Sequence, residues 1–247
     1  MKSRAILVIF VLLGLVTAQP SSVHAQFRDI FKGIGKILQG GELSESTIIQ
    51  GLKEALTVGT SNAVLQVSSV DGYLKNPQIH IPLPENVQKA EKLLRTLGLG
   101  SKVDAFELSM NRAAERAAPE AKSLFIDAIK AMAFSDARKI LQGRDNEATL
   151  YFEDKTRDRL SELFKPIVHQ AMSEVGVTRS YQELDAKLRA IPLAEKMSFD
   201  LDAYVTGKGL DGLFYVVGEE ERKIRQDPAA RVTDLLKEVF GRRSHQN

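Results

Sequence analysis

Apolar residues recur at intervals of three and four from Phe27 to Phe240, interrupted by Gly, Pro and short polar clusters. That period marks helices with one buried face, so the pattern predicts an all-α chain. A first stripe, Phe27, Ile30, Phe31, Ile34 and Leu38, is closed by Gly40-Gly41. A second helix is predicted from Ser44 or Ser46 to about Gln66, and a third from Pro84 to Leu97, stopped by Gly98. A fourth, Lys102 to Ala117, buries Val103, Phe106, Met110, Ala113, Ala114 and Ala117, and its alanines let a neighbour approach closely. Pro119 opens a fifth helix, because the first-turn N–H has no helical partner and proline loses nothing there. Ser135 reads as the N-cap of a short sixth helix ending at Gly143, and Asn146 as the cap of the next. The stripe from Leu160 runs to Val175, with a kink predicted at Pro166. Tyr181, Leu184 and Leu188 mark a further helix, broken at Pro192.

The charged run EEERKIRQDPAAR, Glu219–Arg231, looks reactive and is explained by helix ends. Glu219 with Lys223 and Glu221 with Arg225 are acid-then-base pairs four apart, which support a solvated helix face by about 0.2–0.5 kcal/mol each. Leu210, Leu213, Phe214, Val217 and Ile224 supply the buried side of that helix. Asp227 then has the chemistry of an N-cap and Pro228 occupies the first helical position. A final stripe follows, Val232, Leu235, Leu236, Val239 and Phe240, closed by Gly241.

Ser68–Asn86 resists the helical period. Asp71-Gly72, Asn76-Pro77 and two more prolines demand turns and extended backbone, and Ile79 and Ile81 alternate around His80, a pattern open to a very short strand. Long loops inside compact domains are often functional; the alternative is a packed crossover between helical hairpins.

The amino terminus changes the electrostatic picture. Lys2 and Arg4 precede an apolar run from Ala5 to Val16 and a small-residue site at Val23-His24-Ala25, which predicts a secretory signal peptide cleaved before Gln26. The run is short of the roughly 20 residues a bilayer span needs. Without Lys2 and Arg4 the 34 basic side chains fall to 32, equal to the 32 acidic ones, so the mature chain is formally neutral. A basic nucleic-acid footprint is missing from that balance. There is no Cys, so a hydrophobic core and not disulfides must hold the fold. The expected organisation is a signal peptide at 1–25, an amphipathic segment at 26–41, one all-helical domain at 42–241 and a disordered tail at 242–247.

The blocks DGYLKNPQIHIPLP, LRTLGLGSKVDAFELSMNRAAERAAPEAK, YFEDKTRDRLSELFKPIV, YVTGKGLDGLF and EEERKIRQDPAARVTDLLKEVFG, taken in order, resemble the bacterial secreted family known as domain of unknown function 4197. The resemblance spans about Glu42 to Gly241. It implies a mostly helical exported protein of Gram-negative type and implies no activity. Where the family pattern has a helix-forming QKAL, this chain has GKGL at Gly207–Leu210, which should loosen the start of that helix.

The same substitution makes Gly207, Gly209 and Gly212 fit G-x-G-x-x-G, a dinucleotide-loop spacing that has meaning only between a buried strand and a helix. Here FDLDAYVT precedes it and reads as a turn of helix. Cys catalysis is excluded, no G-x-S-x-G elbow occurs, and the mature chain keeps only His80, His169 and His245, with no Glu-x-x-His pair for a helical di-iron centre and no EF-hand spacing. No catalytic residue, metal ligand or cofactor is assigned. His169 reads as a packed or half-exposed residue.

The candidate binding residues are Asn76, His80, Asn111 and Glu115. Asn111 and Glu115, four apart, share one face, while Arg112 should point elsewhere. Either they satisfy a neighbouring loop or cap, or they line a cleft with Asn76 and His80. Two functions follow: a non-enzymatic extracytoplasmic interaction or scaffold module, and a carrier or enzyme holding a lipid-like or other small apolar ligand between helices. A protein partner is expected in the first case. Phe27, Ile30, Phe31 and Ile34, opposite Arg28, Lys32 and Lys36, could also rest on an anionic membrane surface or dock on the chain's own domain.

Overall fold

The computed structural model describes residues 45–174 and 200–226. The stripes at Phe27–Leu38, Tyr181–Leu188 and Val232–Phe240, the signal peptide and the tail lie outside them. The described residues form seven α-helices and no strand: α1 Glu45–Ser68, α2 Glu85–Thr96, α3 Gly100–Ala117, α4 Ala121–Ala131, α5 Phe134–Gln142, α6 Glu147–Glu174 and α7 Leu201–Gln226. A 3₁₀ turn, Ala118–Glu120, holds Pro119 between α3 and α4.

The all-α expectation is met, and α1 to α5 end within about two residues of the sequence reading, the usual looseness of helix ends. Three local expectations change. Ile79–Ile81 forms no strand. The cap at α5 is not Ser135: the helix begins at Phe134, and the Asp136 carboxylate accepts the Ala133 N–H at 3.1 Å. The helix expected after Asn146 is present: it starts at Glu147, includes the Leu160 stripe and runs through Pro166. Gly207–Leu210 lies inside α7, which begins six residues earlier at Leu201 and is continuous, so the glycines do not loosen its start.

α7 is the central helix. It runs antiparallel to α1, since Asn62 bonds Glu220 and Gly59 faces Ile224, and antiparallel to α6, since Thr149 bonds Glu221 while His169 bonds Asp202. α3 approaches α7 at Ala114 and Gly209. One apolar core serves the helices on both sides of Gly143–Asn146. At its centre Phe125 of α4 sits 5.3 Å from Phe152 of α6 and 6.0 Å from Phe214 of α7, in tilted and edge-on geometry. Such aromatic pairs add about 0.5–1.5 kcal/mol beyond area burial. Lys53 of α1 donates to the Lys130 and Met132 carbonyls at 3.3 and 3.0 Å. Its ammonium meets the negative end of α4, where carbonyls lack helical partners.

Candidate functional site

The segment Ser69–Pro84 leaves α1 and turns into the core. Asp71 takes a left-handed φ of 68°, a conformation that Asp tolerates better than most side chains. At Gly72 a Cβ would lie 2.5 Å from the Gln66 carbonyl oxygen and 2.7 Å from that of Val67, so glycine is required to close the helix end. The turn sends Tyr73 inward, fully buried, where its hydroxyl donates to the Gly209 carbonyl at 2.6 Å. Burial, with the nearby Glu115 and Asp211 carboxylates, holds the Tyr73 phenol far above its ordinary pKa.

The glycine spacing that mimics a nucleotide loop is a packing notch. A Cβ at Gly212 would come 2.7 Å from the Tyr73 ring and 3.0 Å from Ile79 Cβ; at Gly209 it would press Ala114 Cβ at 3.3 Å. Gly212 thus admits the loop and Gly209 admits α3. Gly207 faces open space.

α3 supplies the polar anchors. Glu107, Asn111 and Glu115 recur four apart and so share a face. Asn111 Oδ1 accepts the Ile81 N–H at 2.9 Å, and its Nδ2 donates to the Ile81 carbonyl and to the Glu107 carbonyl, each at 2.9 Å. The side-chain amide pairs with both the N–H and the C=O of one residue, as a neighbouring strand would. Glu115 Oε1 accepts the N–H groups of Tyr73 at 3.1 Å and Leu74 at 3.4 Å. Arg112 does not point elsewhere. It donates to Glu115 Oε2 at 2.6 Å and to Asp71 Oδ1 at 2.5 Å, because positions three apart are also neighbours on a helix. Lys75 approaches the other Asp71 oxygen at 2.7 Å. Bonds from Lys75 and then Arg112 hold the Asp71 carboxyl below its ordinary pKa.

His80 and Asn76 stand at the outer side of the loop, both part-exposed. His80 Nε2 lies 3.4 Å from Glu107 Oε1. Asn76 Oδ1 accepts the Gln78 N–H at 3.1 Å, and its carbonyl accepts the N–H groups of Ile79 and His80. This is an Asx turn around Pro77. The four candidate residues therefore meet at one loop, with Asn111 and Glu115 bonded to its backbone. Asp71, Tyr73 and Arg112 complete the cluster and are not among the sequence candidates; the Asp71-Gly72 turn before an aromatic is the signal for them.

Residues 42–241 match the family described as Protein of unknown function (DUF4197). The chain belongs to that family. No curated protein and no solved structure matches it. The DUF4197 region contains the loop, its anchors and every described helix. Among the described residues no helix is long and apolar enough to cross a membrane, and no group of three or more His, Asp or Glu side chains is placed to hold a metal ion.

A second buried polar cluster in the DUF4197 fold overturns the solvated view of Glu221 and Arg225. Both side chains are buried, 5% and 8% exposed. Glu221 Oε1 accepts the Ala148 N–H at 3.0 Å and Arg225 at 2.7 Å, while Oε2 accepts both the Thr149 N–H and hydroxyl at 2.8 Å. The carboxylate caps the α6 N-terminus from another helix, at the positive end of its dipole. Asn146 contributes its carbonyl, to Leu150 N–H. Arg225 also donates to the Ile140 carbonyl at 2.9 Å, near the end of α5. Lys223 pairs with Glu220, and Glu219 with Arg222, both at three-residue spacing. The missed signal was position: Glu221 stands between Val217 and Ile224 in the apolar stripe. His169 is mostly exposed, its Nδ1 at 2.7 Å from Asp202.

Proposed function

We propose that this member of the DUF4197 family is exported, cleaved before Gln26, and acts outside the cytoplasm as a non-enzymatic interaction or scaffold module. The observation that carries this reading is the use of Asn111 and Glu115: their polar atoms bond Ile81, Tyr73, Leu74, Glu107 and Arg112. A carrier would instead turn such side chains toward an apolar ligand. What remains for recognition is surface. Leu65 and Val70, 67% and 78% exposed, flank the start of the loop, and Leu93, Leu97 and Phe134 are exposed on other elements. Isolated exposed apolar residues are common, so they support a partner surface only together with the committed interior. Formal neutrality argues for a protein partner over nucleic acid. The segment Phe27–Ile34 would add a peripheral membrane contact. Native mass spectrometry of the protein, purified gently from the periplasm of its own cell, tests the reading. A defined complex with another protein is expected; a reproducible small extra mass would make the carrier reading primary.

A further inference from the structure

The corner between α2 and α3 carries more leucine than its fold uses. At the end of α2 the Gly98 N–H donates to the Arg95 carbonyl and the Leu99 N–H to the Leu94 carbonyl, each at 3.0 Å, with Gly98 at a left-handed φ of 77°. Such a helix end is sealed by apolar side chains at the positions of Leu94 and Leu99, and both turn inward: Leu94 is 1% exposed and Leu99 packs against the core. Leu93 and Leu97 have no such duty. They lie four apart on one ridge of α2 and are 43% and 59% exposed. The corner projects, since no atom stands within 4 Å of where a Cβ on Gly98 would lie.

We propose that this corner is a membrane-docking tip: Leu93 and Leu97 enter the headgroup boundary of an anionic lipid surface while Lys89 and Lys92 meet its phosphates. Charge argues for that occupant. No acidic residue occurs from Lys92 to Lys102, a stretch that holds Lys92, Arg95 and Lys102. The nearest acids, Glu91 and Asp104, are both held by Arg95, at 2.9 and 2.6 Å, and Arg95 lies two positions from Leu93, hence nearly opposite it on the helix. Lys89 stands one turn before Leu93 on the same ridge, and its contact with Glu85 is long, 3.8 Å, between two exposed side chains. Lysines beside an anionic bilayer are drawn to it within a Debye length, and apolar side chains among them sink into the boundary. Size argues the same way. A stable protein interface hides about 800 Å² per partner, more than two leucines on a projecting corner provide, whereas a lipid surface needs no matching groove. The contact is independent of the Phe27–Ile34 segment and of the compartment that holds the protein.

Sedimentation of the purified protein with vesicles containing phosphatidylglycerol, against vesicles of phosphatidylcholine alone, tests this. The parent should bind the anionic vesicles, less so as salt rises, and leave the neutral ones. Leu93→Gln combined with Leu97→Gln should lower the vesicle partition coefficient about tenfold. Lys89→Gln combined with Lys92→Gln should flatten the salt dependence. Leu65→Gln, which replaces a leucine at least as exposed on α1, should change nothing. The chain has no Trp, so Leu97→Trp is a single reporter, and its emission should move to the blue on anionic vesicles. Binding that survives the two leucine substitutions and disappears in Phe27→Gln combined with Phe31→Gln would overturn the inference while sparing a membrane role for the amino-terminal segment. Absence of vesicle binding would overturn it too, as would capture of a protein partner by the corner with the Trp emission unmoved on vesicles.

Discussion

Two buried glutamates, Glu115 on α3 and Glu221 on α7, perform the same task with unequal support. Each accepts two backbone N–H groups from a segment far away in sequence and is partnered by an arginine on its own helix. Glu221 caps a regular helix, and its arginine is almost as buried as it is. Glu115 holds an irregular loop; its arginine is 34% exposed and shared with Asp71, itself paired with Lys75. One carboxylate thus helps assemble the core of α5, α6 and α7, while the other fastens a strap that water partly reaches. An uncompensated buried charge costs far more than a half-solvated one, so the two sites should respond differently to the same truncation.

The largest effect should come from Glu221→Ala, which strands Arg225 in the interior and uncaps α6. Chemical denaturation should show a loss of about 3–5 kcal/mol. Glu115→Ala should cost less, about 1.5–3 kcal/mol, since Arg112 keeps Asp71 and solvent. Equal losses would erase the distinction drawn between core and strap.

The glycines sharpen it from the other side. Gly212→Ala drives a methyl into Tyr73 and Ile79 and should destabilise by about 1–3 kcal/mol. Gly207→Ala meets nothing and should stabilise by about 0.5–1 kcal/mol, the helix-propensity gain. Thermal melts separate these opposite signs. A loss at both positions would contradict the notch.

The smallest effect is the pH response of the strap. The folded pKa of Asp71 is lowered, so its stabilisation is present above the unfolded value, about 4, and fades as pH falls through the folded one. The melting temperature of Asp71→Asn should therefore lie below that of the parent near neutral pH, and the gap should close as the solution is acidified below about pH 4. A gap that widens on acidification would remove Asp71 from the strap.

The helices were legible because each buries one face, and a three-and-four period survives any arrangement of neighbours. Less legible was which polar residues lie inside. Asn111 and Glu115 stood out as a polar pair on one face of an apolar helix, but their partners, the peptides of Tyr73, Leu74 and Ile81, carry no side-chain signature. The sequence reads Glu221 as a solvated charge because a four-residue spacing to Arg225 looks the same on a wet surface and across a buried cap. Capping from another helix cannot be read from local sequence: the residues before α6 point to Asn146 and carry no sign of Glu221. G-x-G-x-x-G likewise records only spacing, and contact with Tyr73 and Ala114 gave it meaning.

The central claim is that the polar residues at the loop and at the α6 N-terminus are spent inside the chain. Amide exchange resolved at Tyr73, Leu74, Ala148 and Thr149 tests it most directly, comparing the native protein with Glu115→Gln and Glu221→Gln. Each substitution should speed exchange at its own pair of amides and leave the other pair unchanged, with the larger change at Ala148 and Thr149. Native Tyr73 and Leu74 amides that exchange as freely as those of an open loop would contradict the account and return Asn76, His80, Asn111 and Glu115 to the role of a binding cleft.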